Sequence, residues 1–413
     1  MKKILGALVL LMVVFGFCAC KKKPQDNQTL EKESVIQKTC IRVSLFGDEE
    51  KYNSIKKIVA NFEGINPDIQ IEIDFWSEDY YKQLNKSILT GKMPDVVMVD
   101  NIEGFSYYKK GFFQNLGQYF LNQEDYLSNA IEAFSYDDCI WGVPVFLSPS
   151  LIIFNKNIFL KNNVELPSIN WNRDCFLNKA HHLTSYNEFG FGFDNKISSW
   201  LGFLWSNGGG IIDNSGCIML DSASSKEALQ FYSNLKNLEG VCQPNSSLNA
   251  HNLFKQGKIA MIVSNFDDFI NLKKSNLPFE LGFSPFPSCS VMASSPMGVI
   301  GVSLFEKSHH KREAWRFILY LTNSDRIWKM QRDFNFIPAK KADFSRFLLQ
   351  YSLDERMILQ NIITNSRPVP VCGDYHILIN KIEQQLIPLF EAEKNVDDVI
   401  DENFYKILQR DIK

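Results

Sequence analysis

The chain has 413 residues and a formal net charge of −3, with 45% hydrophobic and 22% charged residues. This balance lacks the basic excess of a protein that binds nucleic acid, so no nucleic-acid partner is expected. About 370 residues follow Cys40, a length sufficient for two domains with a large apolar core.

The amino terminus carries a short apolar run. From Ile4 to Ala19 there are 16 uncharged residues after two lysines, which is fewer than the ~20 residues that span a bilayer. Residues 1–19 are therefore predicted to be a secretory signal peptide. The junction of Ala19 with Cys20 resembles a bacterial lipoprotein signal, which implies that Cys20 is lipidated and anchors the protein in a membrane. In the alternative, an ordinary signal peptide is cut elsewhere and Cys20 is a plain thiol.

The segment after the predicted signal has the composition of a linker. Residues 21–39 hold five lysines, three acids and no aromatic side chain, so they cannot bury enough apolar surface to fold. We predict that residues 20–39 form a flexible tether on the outer face of the cytoplasmic membrane. Loss of residues 1–19 removes two lysines and changes the net charge from −3 to −5.

Neither a metal nor a cofactor is expected. The nine cysteines form no C-x-x-C pair, which excludes a zinc ribbon and a thioredoxin-like motif. Seven cysteines follow the predicted anchor, and we expect most of them to be small buried side chains. The sequence also lacks the motifs G-x-S-x-G, H-E-x-x-H, G-x-x-x-x-G-K-[ST] and G-x-G-x-x-G. The two adjacent histidine pairs, His181-His182 and His309-His310, are not expected to share a metal, because neighbours on a helix face different directions.

Strands and helices are predicted to alternate at the start of the folded part. "CIRVSLFG" (40–47) and "IQIEIDFW" (69–76) alternate apolar and polar residues, and "PDVVMVDN" (94–101) has the continuous apolar pattern of a strand buried on both faces. Segments with helical spacing separate these strands. The order predicts a doubly wound α/β lobe.

The ends of these strands suggest a binding site. Open parallel sheets bind ligands outside the carboxyl ends of their strands, and those ends are Phe46, Trp76 and the pair Asp100 and Asn101. In the alternative, the two aromatic side chains cap the core and Asp100 caps the next helix.

A second lobe is predicted after "WGVPVFLSPSLIIFNKNIF" (141–159), with the crossing within residues 147–153. Helices are predicted at 172–183, 197–206 and 223–238, strands at 189–193, 280–287 and 296–305, a helix end followed by a strand at 253–265, and helices toward the carboxyl terminus. The strand at 296–305 is expected to return into the first lobe.

Five segments in the same order resemble the extracellular solute-binding proteins of carbohydrate ABC importers. They are "LNKSILTGKMPDVVMVD", "GVPVFLSPSLIIFNKNIF", "FLWSNGGGIID", "FKQGKIAMIVSN" and "AWRFILYLTNSDRIWKMQRDFNFIPA". The resemblance covers roughly residues 41–405. It implies a two-lobed periplasmic-binding-protein-like fold of type II, with hinged lobes and doubly wound sheets. Residues 40–147 and 300–345 would form the first lobe, and residues 148–299 and 346–413 the second.

The resemblance also implies a function. Such a protein is a monomer without enzymatic activity that binds a sugar or oligosaccharide between its lobes. It delivers the sugar to membrane permease subunits that work with a cytoplasmic ATPase. The alternatives are a binding protein for a glycerophosphodiester or a peptide, a surface glycosidase, and an adhesin or sensor. For a phosphate-bearing ligand, Arg332 and Arg367 are the candidate cations that would pair with the phosphate.

Carried over position by position, the resemblance implies a set of ligand-binding residues: Phe46, Trp76, Tyr80, Asp100, Asn101, Phe146, Trp200, Trp205, Asn207, Asn265, Phe266 and Gly298. One of Trp200 and Trp205 is expected to be exposed toward the cleft. The chain departs from the family after "GKIAM", where a glycine and a tryptophan are common and this chain has the residues from Ser264 to Asp267.

These residue types suit a sugar. Aromatic rings bury the C–H faces of a sugar ring, and carboxylates and amides accept and donate hydrogen bonds at its hydroxyl edge. An analogue that lacks a hydroxyl leaves a buried polar group unpaired, at a cost of about 1–3 kcal/mol.

Overall fold

The computed structural model describes residues 38–213, 217–244, 249–371 and 375–408. The predicted signal peptide, the predicted anchor Cys20 and nearly all of the predicted tether lie outside these residues. The described chain begins with alternating strands and helices, as predicted: β1 (Thr39–Phe46), α1 (Glu49–Ile65), β2 (Ile69–Trp76), α2 (Tyr80–Leu89), β3 (Val96–Asp100) and α3 (Asn101–Lys109).

The next segment leads to a long strand. It contains a short 3₁₀ turn (Gln123–Asp125), α4 (Ser128–Glu132), a small hairpin of β4 (Ser135–Tyr136) and β5 (Cys139–Ile140), and β6 (Val143–Asn155). Twelve of the thirteen residues of β6 are buried, which explains its continuous apolar sequence.

The remaining elements follow in chain order. They are α5 (Lys156–Lys161), α6 (Arg173–His182), β7 (Phe189–Phe191), α7 (Ile197–Ser206), α8 (Ala223–Asn237), α9 (Ala250–Lys255), β8 (Ile259–Asn265), α10 (Phe266–Lys274), β9 (Leu281–Ser284), β10 (Pro296–Leu304), α11 (Lys311–Leu321), α12 (Ser324–Phe334), β11 (Ile337–Pro338), α13 (Lys341–Leu348), α14 (Leu353–Asn365), β12 (Arg367–Pro368), α15 (Tyr375–Phe390), α16 (Val396–Val399) and α17 (Glu402–Leu408). The helices and strands predicted between residues 172 and 305 are all present, with ends shifted by a few residues.

One mixed sheet connects the strands in the order β2-β1-β3-β10-β6-β8-β7. Strand β1 is parallel to β2 and β3, and β7 is parallel to β8, whereas β10 and β6 run antiparallel to their neighbours. The short strands β9 and β11 also pair with β6, and β12 pairs with β10. The returning strand β10 therefore joins the first three strands, as the sequence predicted.

Strand β6 changes partners along its length. Its amino-terminal half pairs with β10 as far as Pro149, which lies opposite Met297. From Ser150 onward it pairs with β8 instead, beginning at Asn265. Proline has no N–H to donate, so Pro149 suits the position at which one ladder ends and the next begins.

Two hydrophobic clusters form the core. The first covers β1, β2, β3 and the helices around them, and continues onto one face of β8 and β9 through Phe254, Phe266 and Phe283. The second lies on the other face of β8 and contains α6, α7, α8 and α15. Helix α7 is buried along nearly its whole length, which accounts for its apolar sequence.

The expectation that most cysteines are buried is wrong for the described part of the chain. Cys242 is buried there, Cys139 and Cys289 are partly exposed, and Cys40, Cys175 and Cys217 are exposed.

Candidate functional site

The strands of the first cluster end at a common edge. Phe46 at the end of β1 lies opposite Trp76 at the end of β2. Asp100 at the end of β3 lies opposite Ile300 of the returning strand β10. The carboxyl ends of β1, β2 and β3 therefore lie toward the region in which β6 and β10 pair.

Strand β8 ends at the same crossing from the other side. Gly298 of β10 lies opposite Ser148 of β6, and two residues further along β6, Ser150 lies opposite Asn265 at the end of β8. We call the set Phe46, Trp76, Asp100, Gly298 and Asn265 the strand-end rim. It combines the carboxyl ends of strands from both halves of the sheet, where α/β proteins bind ligands.

Open space lies in front of the crossing strands at Gly298. A Cβ atom added to Gly298 would meet only the carbonyl oxygen of Ser148, at 3.8 Å. By contrast, a Cβ added to Gly301, three residues further along β10, would lie 2.5 Å from the ring of Phe134. The two glycines therefore have different roles, because Gly301 permits core packing whereas Gly298 borders a free volume.

Aromatic side chains line the part of the rim that β1 and β2 provide. Phe46 and Trp76 are partly exposed, and their ring centroids lie 5.0 and 5.8 Å from that of Tyr80. Tyr80 itself is buried, and its hydroxyl donates to the carbonyl oxygen of Met98 at 2.7 Å. Burial raises the pKa of Tyr80 well above its ordinary value. Tyr80 thus supports the two rings, which remain available to a ligand.

Asp100 is held in place by hydrogen bonds to both of its oxygens. One oxygen accepts from the backbone N–H groups of Ile102 and Glu103, at 2.9 and 2.8 Å, which caps the amino end of α3. The other accepts from the hydroxyl of Tyr81. The strand ends predicted this carboxylate but not Tyr81, since a tyrosine that packs and a tyrosine that donates a hydrogen bond have the same spacing in a helix.

Asn101, the neighbour of Asp100, is buried and faces the crossing strand. Its side-chain oxygen accepts a hydrogen bond from the backbone N–H of Val299 at 2.8 Å. It therefore connects α3 to β10 and does not present its amide on the rim surface.

Asp267 is a further carboxylate at the crossing that the sequence analysis did not select. It lies in the first turn of α10, directly after the end of β8, and accepts a hydrogen bond from the hydroxyl of Ser148. Burial raises the pKa of Asp267 above its ordinary value, although the bond from Ser148 and the positive charge of Lys51 act in the opposite direction. Lys51 belongs to α1, so a charged group of α1 acts electrostatically on α10.

The two predicted residues before Asp267 occupy different environments. Asn265 is exposed, and its side-chain oxygen accepts from the hydroxyl of Ser150 at 2.9 Å. Phe266 is fully buried, with its ring centroid 5.9 Å from that of Phe347. Phe266 therefore packs in the core as this structure stands.

Phe146, Trp200 and Trp205 are also buried. Phe146 stacks on Phe334, with ring centroids 5.6 Å apart. The expectation that one tryptophan of α7 is exposed is wrong, because Trp200 and Trp205 are 1% and 5% exposed. Trp205 lies under the guanidinium group of Arg367 at 4.6 Å.

Asn207 stabilises the turn after α7. Its side-chain nitrogen donates to the carbonyl oxygen of Ser224 at 2.8 Å and to Glu227 at 3.2 Å, and its oxygen accepts from Ser290 at 3.3 Å. The hydrogen bond from Asn207, followed by one from Arg173, lowers the pKa of Glu227. These contacts give Asn207 a structural role in the conformation seen here.

Two of the cavities among the described residues are lined by charged side chains and by no residue of the strand-end rim. One, of about 310 Å³, lies between α3 and α15, where Glu103 and His376 approach to 3.3 Å. The other, of about 670 Å³, lies between α1 and α12 and is lined by Arg332. Arg332 is thus separate from the strand-end rim, whereas Arg367 lies on β12 beside β10.

Two features are absent from the described ranges 38–213, 217–244, 249–371 and 375–408. No group of three or more His, Cys, Asp or Glu side chains is arranged to hold a metal ion there. No helix within those ranges is long and apolar enough to cross a membrane.

Solved structures share this architecture. An ABC substrate-binding protein of Listeria monocytogenes in complex with cycloalternan superposes with a TM-score of 0.77 at 21% identity, covering 90% of this chain and 99% of that chain. UgpB of Mycobacterium tuberculosis in complex with glycerophosphocholine gives a TM-score of 0.75 at 19% identity, covering 89% of this chain and 97% of that chain. These similarities confirm the predicted two-lobed α/β fold, which defines the fold class of this chain.

The sequence comparisons identify the family. Residues 47–325 match the bacterial extracellular solute-binding proteins, and the chain belongs to that family. The Multiple sugar-binding protein of Streptococcus mutans is 23% identical, over 79% of this chain and 79% of that protein. The resemblance to extracellular solute-binding proteins that was drawn from the sequence is thereby confirmed. The family consists of binding proteins.

Proposed function

We propose that this protein captures a sugar or oligosaccharide between its two lobes and delivers it to the permease of an ABC importer. Residues 40–147 and 300–345 would form one lobe, and residues 148–299 and 346–413 the other. The observation that carries the proposal is the strand-end rim, where strands from both halves of the sheet end at one crossing next to open space at Gly298.

The chemistry of the rim supports a sugar. Phe46 and Trp76 offer two partly exposed rings for the C–H face of a pyranose or furanose. Asp100 and Asn265 offer oxygen acceptors for its hydroxyl groups, and each carboxylate oxygen can accept more than one hydrogen bond. Closure of the two lobes would exclude water and strengthen these hydrogen bonds.

The names of relatives support the same class of ligand. The Streptococcus mutans relative is called a Multiple sugar-binding protein, and the Listeria monocytogenes structure holds cycloalternan. A third protein of this fold holds glycerophosphocholine, so a glycerophosphodiester is the second candidate. A cation would be needed to pair with its phosphate, and Arg367 is the candidate adjacent to β10.

Ligand binding can be tested by thermal unfolding and tryptophan fluorescence with a panel of maltose, tagatose, cycloalternan, glycerophosphocholine and short peptides. A ligand present at 100 times its Kd adds about 2.7 kcal/mol to the free energy of unfolding, so a saturable rise in Tm is expected with one class of sugar. A response confined to glycerophosphocholine or to peptides would overturn the sugar assignment. Release of a cleaved product from an oligosaccharide would overturn the binding role.

The proposed tether can be tested in cells. If Cys20 is lipidated, the protein fractionates with membranes, and Cys20→Ala releases it, whereas Cys18→Ala leaves it membrane-bound. A wild-type protein that is recovered only in the soluble fraction would contradict the anchor and leave the binding role intact.

A further inference from the structure

We propose that Asp267 is the ligand-binding carboxylate of the second lobe and that it selects ligands which offer hydroxyl groups at this point over ligands which carry a negative charge there. The inference deepens the proposed function and rests on it.

The position of Asp267 follows from the pairing of the strands. Asp267 comes two residues after Asn265, which ends β8, and its carboxylate accepts a hydrogen bond from Ser148. Ser148 lies opposite Gly298, whose Cα borders open space. The carboxylate is therefore placed beside the crossing strands, where the two halves of the sheet meet, and on the side of the crossing formed by β8 and α10.

Helix α1 contributes a positive charge that acts on this carboxylate. Lys51, on α1, is close enough for its ammonium group to lower the pKa of Asp267. Lys51 also pairs with Asp48 at 2.7 Å, and its side chain is 21% exposed. Lys51, a positive charge that acts on Asp267, thus already has an acidic partner.

The environment of Asp267 disfavours the ionised form of its carboxyl group. Removal from water outweighs the favourable effects of Ser148 and Lys51, so the net effect is to raise the pKa of Asp267. The Ser148 hydroxyl donates to the Asp267 side chain, the backbone N–H of Asp267 itself adds a weaker stabilising contact, and a carboxylate has room for further donors. Sugar hydroxyls would supply the missing donors, whereas a phosphate or carboxylate would add repulsion.

The adjacent Asp268 provides a matched control. It follows directly in the same turn of α10, but it accepts from the hydroxyl of Ser264 at 2.6 Å and lies 3.4 Å from His251. Both of these contacts of Asp268 are thus with residues of its own lobe. Substitution of Asp268 should cost stability without changing ligand affinity.

The first measurement is the Tm of the ligand-free protein. Asp267→Asn removes an unfavourable charge and keeps an oxygen that accepts from Ser148, so its Tm should be higher than that of the wild type. Asp268→Asn should have a lower Tm. If Asp267→Asn also lowers the Tm, Asp267 is a structural residue and the proposal is overturned. If Asp267→Asn does not fold, Asp267→Ser is tested in the same way.

The second measurement is calorimetric titration with the sugar that raises the Tm of the wild type. Asp267→Asn should weaken binding by about tenfold to a hundredfold, since hydrogen bonds to a charged group are lost, and Asp268→Asn should bind as the wild type does. Equal affinities of wild type and Asp267→Asn would overturn the proposal while leaving the sugar-binding function intact.

Glycerophosphocholine separates the two proposals. If the wild type binds this solute and no sugar, the proposed sugar function fails. Asp267 would then be expected to oppose binding, so Asp267→Asn should bind glycerophosphocholine more tightly. Weaker binding by Asp267→Asn would overturn the assignment of Asp267 as a selector against charge. If nothing in the panel binds, the sugar function fails, and the assignment of Asp267 as a ligand-binding carboxylate fails with it.

Discussion

The side-chain oxygen of Asn101 accepts a hydrogen bond from the backbone N–H of Val299 at 2.8 Å, which joins the start of α3 to the returning strand β10. The two residues are 198 positions apart in the chain. This bond lies next to Asp100 and beside Gly298, so it fixes the relative positions of two members of the strand-end rim.

Asn101→Ala is predicted to destabilise the protein by about 1–3 kcal/mol, because the buried N–H of Val299 loses its acceptor. Urea unfolding measures the change. Asn122→Ala, at an exposed turn, should alter the free energy of unfolding by less than about 0.5 kcal/mol. Equal effects of the two substitutions would show that the bond to Val299 is unimportant.

Trp76→Ala is predicted to weaken sugar binding about tenfold, since a partly exposed ring at the rim is lost. The control is Trp328→Ala on α12, where the ring stacks with the guanidinium of Arg346 at 4.1 Å. That variant should be less stable but bind the same sugar with unchanged Kd. If Trp76→Ala retains full affinity, the rim formed by β1 and β2 does not contact the ligand.

Tyr81→Phe tests the positioning of Asp100. It removes the hydroxyl that donates to Asp100, so the carboxylate loses one fixed partner while the ring remains. We expect the sugar Kd to rise severalfold, with a loss of stability of about 1–2 kcal/mol. Tyr136→Phe, whose hydroxyl has only a 3.4 Å contact from Lys109, should leave Kd unchanged. Unaltered affinity in Tyr81→Phe would exclude a positioning role.

Gly190→Ala is predicted to be severely destabilising, by about 3 kcal/mol or more. A Cβ atom at Gly190 would lie 2.0 Å from the backbone carbonyl oxygen of Ala180, so β7 and α6 would have to separate. Gly64→Ala is the comparison, because nothing lies within 4 Å of its Cβ position in α1. That change should raise stability by up to about 1 kcal/mol. Thermal unfolding of both variants measures these changes in stability.

His251 gives the protein a predicted pH dependence. Burial lowers the pKa of His251, aided by Lys255 and opposed by Asp268. The unfolded chain therefore binds a proton at His251 more readily than the folded protein, and stability falls as the pH drops through about 6.5 toward the lowered value.

Urea unfolding at a series of pH values tests this dependence. His251→Gln should show a smaller loss of stability on acidification than the wild type. His309→Gln, at an exposed position, should follow the wild-type curve. A pH profile of His251→Gln that is parallel to the wild type would contradict the prediction.

The order of elements could be predicted from the sequence, because alternation and helical spacing are local patterns. The segments of β1, β2 and β3 and the helices between them were found in this way, as was the apolar α7. The strand ends Phe46, Trp76 and Asp100 followed from the rule that parallel strands end at a common edge. The pairing of β6, β8 and β10 shows that these strand ends lie at one crossing.

The tertiary structure decided which side chains are accessible. Aromatic residues such as Trp200, Trp205 and Phe266 are typical of a sugar-binding surface. Both faces of their helices are packed, however, so their rings are buried. Conversely, neither Asp267 nor Tyr81 was predicted to be a site residue. Nothing local in the sequence distinguishes a carboxylate at a crossing from one on a solvated helix, or a tyrosine that donates a hydrogen bond from one that packs.

The sequence by itself thus determined the family, the class of fold and the elements that end at the rim, since these depend on periodicity and on segments of neighbouring residues. Only the tertiary structure decided which residues line the crossing. That outcome depends on contacts between residues far apart in the chain, such as Ser148 with Asp267 and Asn101 with Val299, and on the burial that those contacts impose.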